Sequence, residues 1–215
     1  YAVTNVERCR SEIIVRVNAA DTPLFLFNVT MQNHSSYSDW ADYDNFSPDI
    51  TVEGSDSKLL PAYLSLIRLS DSAIQNLVSY FEAQEEPTMI FFFGDHQPAD
   101  SVVRPVWKLN GKDDADLTDE EEALRYKVPF FIWANFDIEA ESDLEISANY
   151  LAARTLDAAG LPKSAYDNFL SQLRTEVPVI SANHVTLSDG TFTTASKQKD
   201  LLYDYQTLQY YLLFD

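Results

Sequence analysis

An aspartate and a histidine stand side by side at residues 95 and 96, in the run FFFGDHQP, directly behind three phenylalanines. A carboxylate beside a neutral imidazole is a mixed oxygen and nitrogen donor pair. Such a pair suits manganese or zinc better than calcium, which takes oxygen ligands. A metal held there polarises a phosphoryl or sulfuryl oxygen and activates a nucleophile. A second histidine, His34, follows another apolar run, PLFLFNVT, after the short polar segment MQN. Two ligands are too few for a dedicated site, and Asp95 and His96 also read as a strand-end turn with a capping carboxylate and an ordinary imidazole. His34, Asp95 and His96 converge if the two apolar runs are neighbouring parallel strands.

The elements that must position these groups follow from hydrophobic periodicity. PLFLFNVT (23–30), TMIFFF (88–93) and VPFFIWAN (128–135) are short continuous apolar runs, the pattern of strands buried on both faces. Helical spacing places Val6, Ile13, Ile14 and Val17 on one stripe near the start of the chain. It also aligns Leu60, Tyr63, Leu64, Ile67, Ile74, Leu77, Val78 and Phe81, as one helix or as two joined near Ser70 and Asp71. Asp71 falls within that stripe, either as the cap of a second helix or as a buried functional group. Further helices are predicted over 146–160, ended by Gly160 and Pro162, over 164–177 and over 197–214.

Apolar strands separated by helices predict an α/β fold. Its mostly parallel central sheet is covered by helices on both faces, in a single domain over residues 1–215. In such sheets ligands bind beyond the carboxyl ends of strands. Adjacent side chains on an extended strand point to opposite faces, so Asp95 and His96 serve one site only if the chain turns, and Gly94 makes that turn easy.

The formal net charge of −19 argues against a phosphate-backbone ligand, since nucleic-acid affinity comes largely from Lys and Arg. No apolar run approaches the roughly 18 to 20 residues of a spanning helix. The lone Cys9 forms no internal disulfide and sits on an amphipathic helix as a packing or surface thiol. The acidic stretch NGKDDADLTDEEEAL (110–124) reads as a solvated loop or short helix. His184 is expected to be solvent-exposed or structurally bonded. Tyr203, Tyr205, Tyr210 and Tyr211 are expected to be mostly packing residues at helical spacing.

Four segments in order carry a family resemblance: PLFLFNVTMQNHSSY, MIFFFGDHQP, YKVPFFIWANFDIE and ISANYLAARTLDAAGLP. Together they make essentially the whole chain resemble the extracellular catalytic domain of the lipoteichoic acid synthase group. These are phosphoglycerol transferases in the sulfatase branch of the alkaline phosphatase superfamily. The resemblance implies a sulfatase-like fold, Asp95 and His96 as ligands of a catalytic manganese ion, and His34 at the substrate phosphoglycerol group. It implies transfer of glycerol phosphate from phosphatidylglycerol to an envelope polymer or glycolipid. The place implied is the outer face of the cell membrane, behind transmembrane helices that precede Tyr1.

In that family a nucleophilic threonine and an acidic metal ligand lie well upstream of the segment matching His34, and nothing before His34 supplies them. Thr30 and Trp40 do not take the family's nucleophile and substrate-gripping roles. Cys9, in CRSEI, lacks the Pro and Arg of a formylglycine-forming signature. The chain therefore reads as the C-terminal portion of a catalytic domain, with its sheet incomplete on the N-terminal side and no nucleophile of its own. It is expected to be silent alone. Two other readings stay open: hydrolysis of a sulfate or phosphate ester on the same fold, and a noncatalytic binding module.

Overall fold

The structure, a computed structural model, describes residues 4–37 and 46–214, so Trp40 lies outside the described residues. In chain order the principal elements are α1 (Thr4–Asn18), α2 (Leu59–Glu82), β1 (Met89–Phe93), α3 (Asp100–Leu109), α4 (Asp119–Ala123), β2 (Phe130–Ala134), α5 (Leu151–Ala158), α6 (Ala165–Arg174), β3 (Val179–Ile180), β4 (Val185–Thr186), β5 (Phe192–Thr193) and α7 (Lys199–Phe214). The chain forms two compact units, one of residues 1–86 and 95–118, the other of residues 87–94 and 119–215.

In the first unit α2 is the organising element. It runs unbroken through Ser70 and Asp71 as one helix, and Asp71 is exposed rather than capping or buried. Ser57 Oγ accepts the Leu60 N–H at 3.2 Å and satisfies one of the orphan donors of the first turn. The buried face of α2, with Leu60, Ala62 and Leu66, meets Tyr37 and Val102 in one cluster. Val102 belongs to α3, a helix that periodicity did not announce because Pro105 sits inside it. Asn18 at the end of α1 donates to the Tyr80 hydroxyl of α2 at 2.9 Å.

The run 23–30 departs from the expectation of a buried strand. It pairs with no strand among the described residues, and Phe25 and Phe27 are 85% and 69% exposed. An apolar run becomes a buried strand only where both faces are covered and its backbone groups find a ladder. Here Leu26, Phe27 and Asn28 line a cleft with Glu12, Ile13 and Arg16 of α1.

In the second unit β1 and β2 pair antiparallel, with Phe91 opposite Ile132, Phe92 opposite Phe131 and Phe93 opposite Phe130. The expected parallel arrangement is therefore not the one formed in the described ladders. An all-apolar run reports burial but not strand direction. The strands are half-buried rather than fully enclosed, and cross-strand aromatic contact supplies much of their packing: the Phe92 and Phe131 rings stack at 5.3 Å. A small antiparallel sheet in the order β3-β4-β5 follows.

The core of this unit gathers Tyr150, Ala153, Leu170, Leu173, Val177, Val185, Leu202 and Tyr205. Gly160, at φ 66°, ends the helical stretch of α5 in the left-handed conformation that favours glycine. Ser164 opens α6 with a reciprocal capping box to Asp167. On α7 only part of the tyrosine expectation holds: Tyr205 is buried, whereas Tyr203, Tyr210 and Tyr211 are 66%, 60% and 56% exposed. The last turns of α7 present all sides of the helix to solvent, so helical spacing there does not translate into burial.

Tyr150 is 1% exposed and its hydroxyl donates to the Val177 carbonyl at 2.7 Å. Burial, the largest influence, pushes its phenol well above the ordinary value, so it stays a neutral donor. Tyr150→Phe keeps the ring and strands the carbonyl, and chemical denaturation is expected to show a loss of about 1 to 3 kcal/mol. Tyr150→Ala empties the site and is expected to cost about 3 to 5 kcal/mol. Equal stability of the Phe variant and the parent would show that the hydrogen bond does not contribute.

Candidate functional site

The chain leaves β1 through Gly94, whose N–H donates to the Pro129 carbonyl at 3.0 Å. A Cβ at position 94 would lie 3.1 Å from Val128 Cβ. Glycine is needed here for close approach, not for a left-handed turn, since Gly94 is absent from the positive-φ residues. The turn itself is made by Asp95, whose Oδ1 accepts the His96 N–H at 2.9 Å. That bond leaves Oδ2 of Asp95 3.7 Å from Nε2 of His96.

Both histidines of this region are set in one tautomer by a backbone carbonyl. His96 Nδ1 lies 2.7 Å from the Gln97 carbonyl, and His34 Nδ1 lies 2.8 Å from the Ser35 carbonyl. A carbonyl only accepts, so each Nδ1 carries the hydrogen and each neutral ring keeps its lone pair on Nε2. A backbone carbonyl holding Nδ1 in this way fixes the orientation of each ring. The two rings stand 6.3 Å apart, nearly perpendicular at 79°. His34, Asp95 and His96 thus come together, as the sequence required for one site, although no strand at 23–30 delivers His34.

What delivers it is α2. His34 closes a turn by donating its N–H to the Met31 carbonyl at 3.1 Å. Gln32, 1% exposed, donates to the Leu66 carbonyl of α2 at 3.3 Å. Tyr37, 2% exposed, packs edge-on against Tyr63 of α2 with ring centroids 5.4 Å apart. The histidine between these two anchors faces outward. Neither Gln32 nor Tyr37 stood out in the sequence: a lone glutamine beside an asparagine carries no periodic signal, and Tyr37 opens a polar, aromatic stretch of sequence.

The donor set fits a divalent ion in part. Two ligands each about 2.1 Å from a shared ion can span the 3.7 Å between Asp95 Oδ2 and His96 Nε2. Among the described residues, however, no group of three or more His, Cys, Asp and Glu side chains gathers to hold a metal. The side chains of His96 and Asp95 are 63% and 79% exposed, so both are open to a further ligand.

His184 has a structural role. It is buried, its Nδ1 lies 2.9 Å from Ser181 Oγ, and its ring stacks on Phe192 at 4.7 Å. Cys9 is partly buried on α1. Among the described residues, no helix is long and apolar enough to cross a membrane.

The helices and strands described above make an α/β fold of the sulfatase class. The Sulfatase family matches residues 8–161, and this chain belongs to that family. Among solved structures, the chain is similar to the phosphoglycerol transferase GacH of Streptococcus pyogenes, determined in complex with sn-glycerol-1-phosphate. The TM-score is 0.57 at 18% identity, over 81% of this chain and 43% of that one. Among curated proteins, a putative cyclic beta-1,2-glucan modification protein of Rhizobium meliloti (strain 1021) is 24% identical over 220 residues. That match covers 97% of this chain and 34% of the relative, so the chain spans about a third of the relative's length.

The burial of His184 has a pH consequence. Burial first, and then the positive charge of Lys127, hold its pKa below the ordinary 6.5, with Glu145 opposing. The folded state therefore binds its proton less readily than the unfolded state. The contribution is complete above about pH 6.5 and is lost as pH falls below it toward the folded pKa. Thermal unfolding midpoints are expected to fall over this acid interval in the parent, with a shallower fall in His184→Phe. Parallel pH profiles for the two proteins would contradict this account.

Proposed function

We propose that this chain is part of a metal-dependent phosphoglycerol transferase, one that moves glycerol phosphate from phosphatidylglycerol to an envelope polymer or glycolipid. The observation that carries the reading is the meeting of His34 with Asp95 and His96 on one unit of a sulfatase-family chain. The glycerol phosphate held by the streptococcal neighbour supports a phosphate ester substrate. The glucan named for the rhizobial relative supports a saccharide acceptor.

In this reading Asp95 Oδ2 and His96 Nε2 hold a divalent ion, most simply manganese. When bound, the ion supplies charge stabilisation at the phosphoryl group. The Gln97 carbonyl keeps the His96 ring in the tautomer that ligation needs. His34 meets the glycerol phosphate. Its Nε2 accepts a glycerol hydroxyl when the ring is neutral and donates to a phosphate oxygen when the ring is protonated. The hydroxyl nucleophile and an acidic ligand are assigned to a part of the protein N-terminal to Tyr1, so the chain alone is silent. The parent protein is placed on the outer face of the cell membrane.

The test is a protein extended upstream to include that part, assayed for manganese-dependent release of glycerol phosphate from labelled phosphatidylglycerol. Release is expected, and His34→Ala and Asp95→Ala are each expected to lower it by about a hundredfold. Cleavage of a sulfate or phosphate monoester without glycerol phosphate release would replace the reading with a hydrolase. Silence on every ester would favour a noncatalytic binding module.

A further inference from the structure

We propose that Ser70, in the middle of α2, is the positioning residue that aims His34 at His96; as a statement about the reaction this rests on the function proposed above. Ser70 Oγ is a three-way hub. It accepts from Gln32 Nε2 at 3.3 Å and from Asn33 Nδ2 at 3.0 Å, and it lies 3.2 Å from Asn33 Oδ1, to which its own hydroxyl donates. The side chain of Asn33 is thus gripped at both of its polar ends by one hydroxyl. The backbone carbonyl of Asn33 accepts the Tyr37 hydroxyl at 2.7 Å. Both ends of the Asn33 residue are tied to groups anchored on α2, and His34 is the next residue.

The chemistry of the hub argues for positioning over stability. Serine in a helix interior is a poorer helix former than alanine. Gln32 is 1% exposed, and its Oε1 is buried with no hydrogen-bond partner among the described residues. A cluster retained for folding alone would be better served by an apolar residue at 32 and alanine at 70. What Ser70 and Gln32 supply, and apolar residues do not, is direction. Ser70 fixes the turn of residues 31–34, and that turn fixes where the His34 ring stands relative to His96 at 6.3 Å. Displacing a substrate-binding group by about 1 Å is enough to lower a rate by up to a hundredfold.

The experiment has two readouts, one independent of catalysis. The chain holds three histidines, so imidazole resonances are readily assigned. In this chain the ring-to-ring nuclear Overhauser contact between His34 and His96 is expected in the parent and in Ser70→Thr. It is expected to disappear in Ser70→Ala, with the His184 signals and the thermal midpoint unchanged. In the upstream-extended protein, Ser70→Ala is expected to lower glycerol phosphate transfer about tenfold and Ser70→Thr to restore it. An intact ring contact in Ser70→Ala would overturn the proposal, and so would an activity loss explained entirely by a lower thermal midpoint. Loss of the ring contact in a protein that transfers no glycerol phosphate under any condition would uphold the positioning role and remove the transferase reading instead.

Discussion

The packing of Tyr37 and Val102 against one buried face of α2 is the constraint on which the candidate site depends. Tyr37 follows His34 by three residues, and Val102 lies on the helix that follows Asp95 and His96. Two loops far apart in sequence are therefore bolted to the same helix, through Leu60, Ala62 and Leu66. Each buried apolar side chain of this kind contributes roughly 1.5 to 3 kcal/mol. The histidines themselves contribute little to holding the loops. They are exposed, and their hydrogen bonds to neighbouring carbonyls orient rings already brought together.

Electrostatics complete the picture. A chain with a formal net charge of −19 repels an anionic phosphate ester at long range. Asp95, one of the carboxylates in that count, lies where the substrate is proposed to bind. In the proposed reading a divalent cation between Asp95 and His96 would invert the local sign and let an acidic surface accept a phosphoryl group. The Gln97 carbonyl suits that role by engaging Nδ1 of His96, so that Nε2 is the nitrogen turned toward a ligand. In this reading, chemistry and solubility pull in opposite directions and the metal reconciles them.

How much of this was legible in the sequence differs from residue to residue. The β1 and β2 runs read as strands from their continuous apolar residues, yet Phe91, Phe92 and Phe93 carry no information on whether a partner runs parallel or antiparallel. The run 23–30 has the same composition and does not become a strand, because strand formation needs a partner and composition does not report one. Asp95, His96 and His34 were visible as residue types, and the Sulfatase family match supports the reading of the fold. The support of His34 was hidden. Ser70 interrupts an apolar stripe that reads equally as one helix or as two joined there, whereas in the folded protein it is a hydrogen-bonding hub on a continuous one. Polar residues inside an amphipathic stripe gain their meaning from what packs above them, and that is a long-range fact.

The central claim, that Asp95 and His96 hold one divalent ion beside the substrate-binding His34, is tested most directly by adding substoichiometric manganese and following the three histidine ring signals by nuclear magnetic resonance. Paramagnetic broadening concentrated on His96 and His34, sparing His184 and abolished by Asp95→Ala, is the predicted result. Broadening that is absent, that spreads equally to His184, or that survives Asp95→Ala would contradict the account.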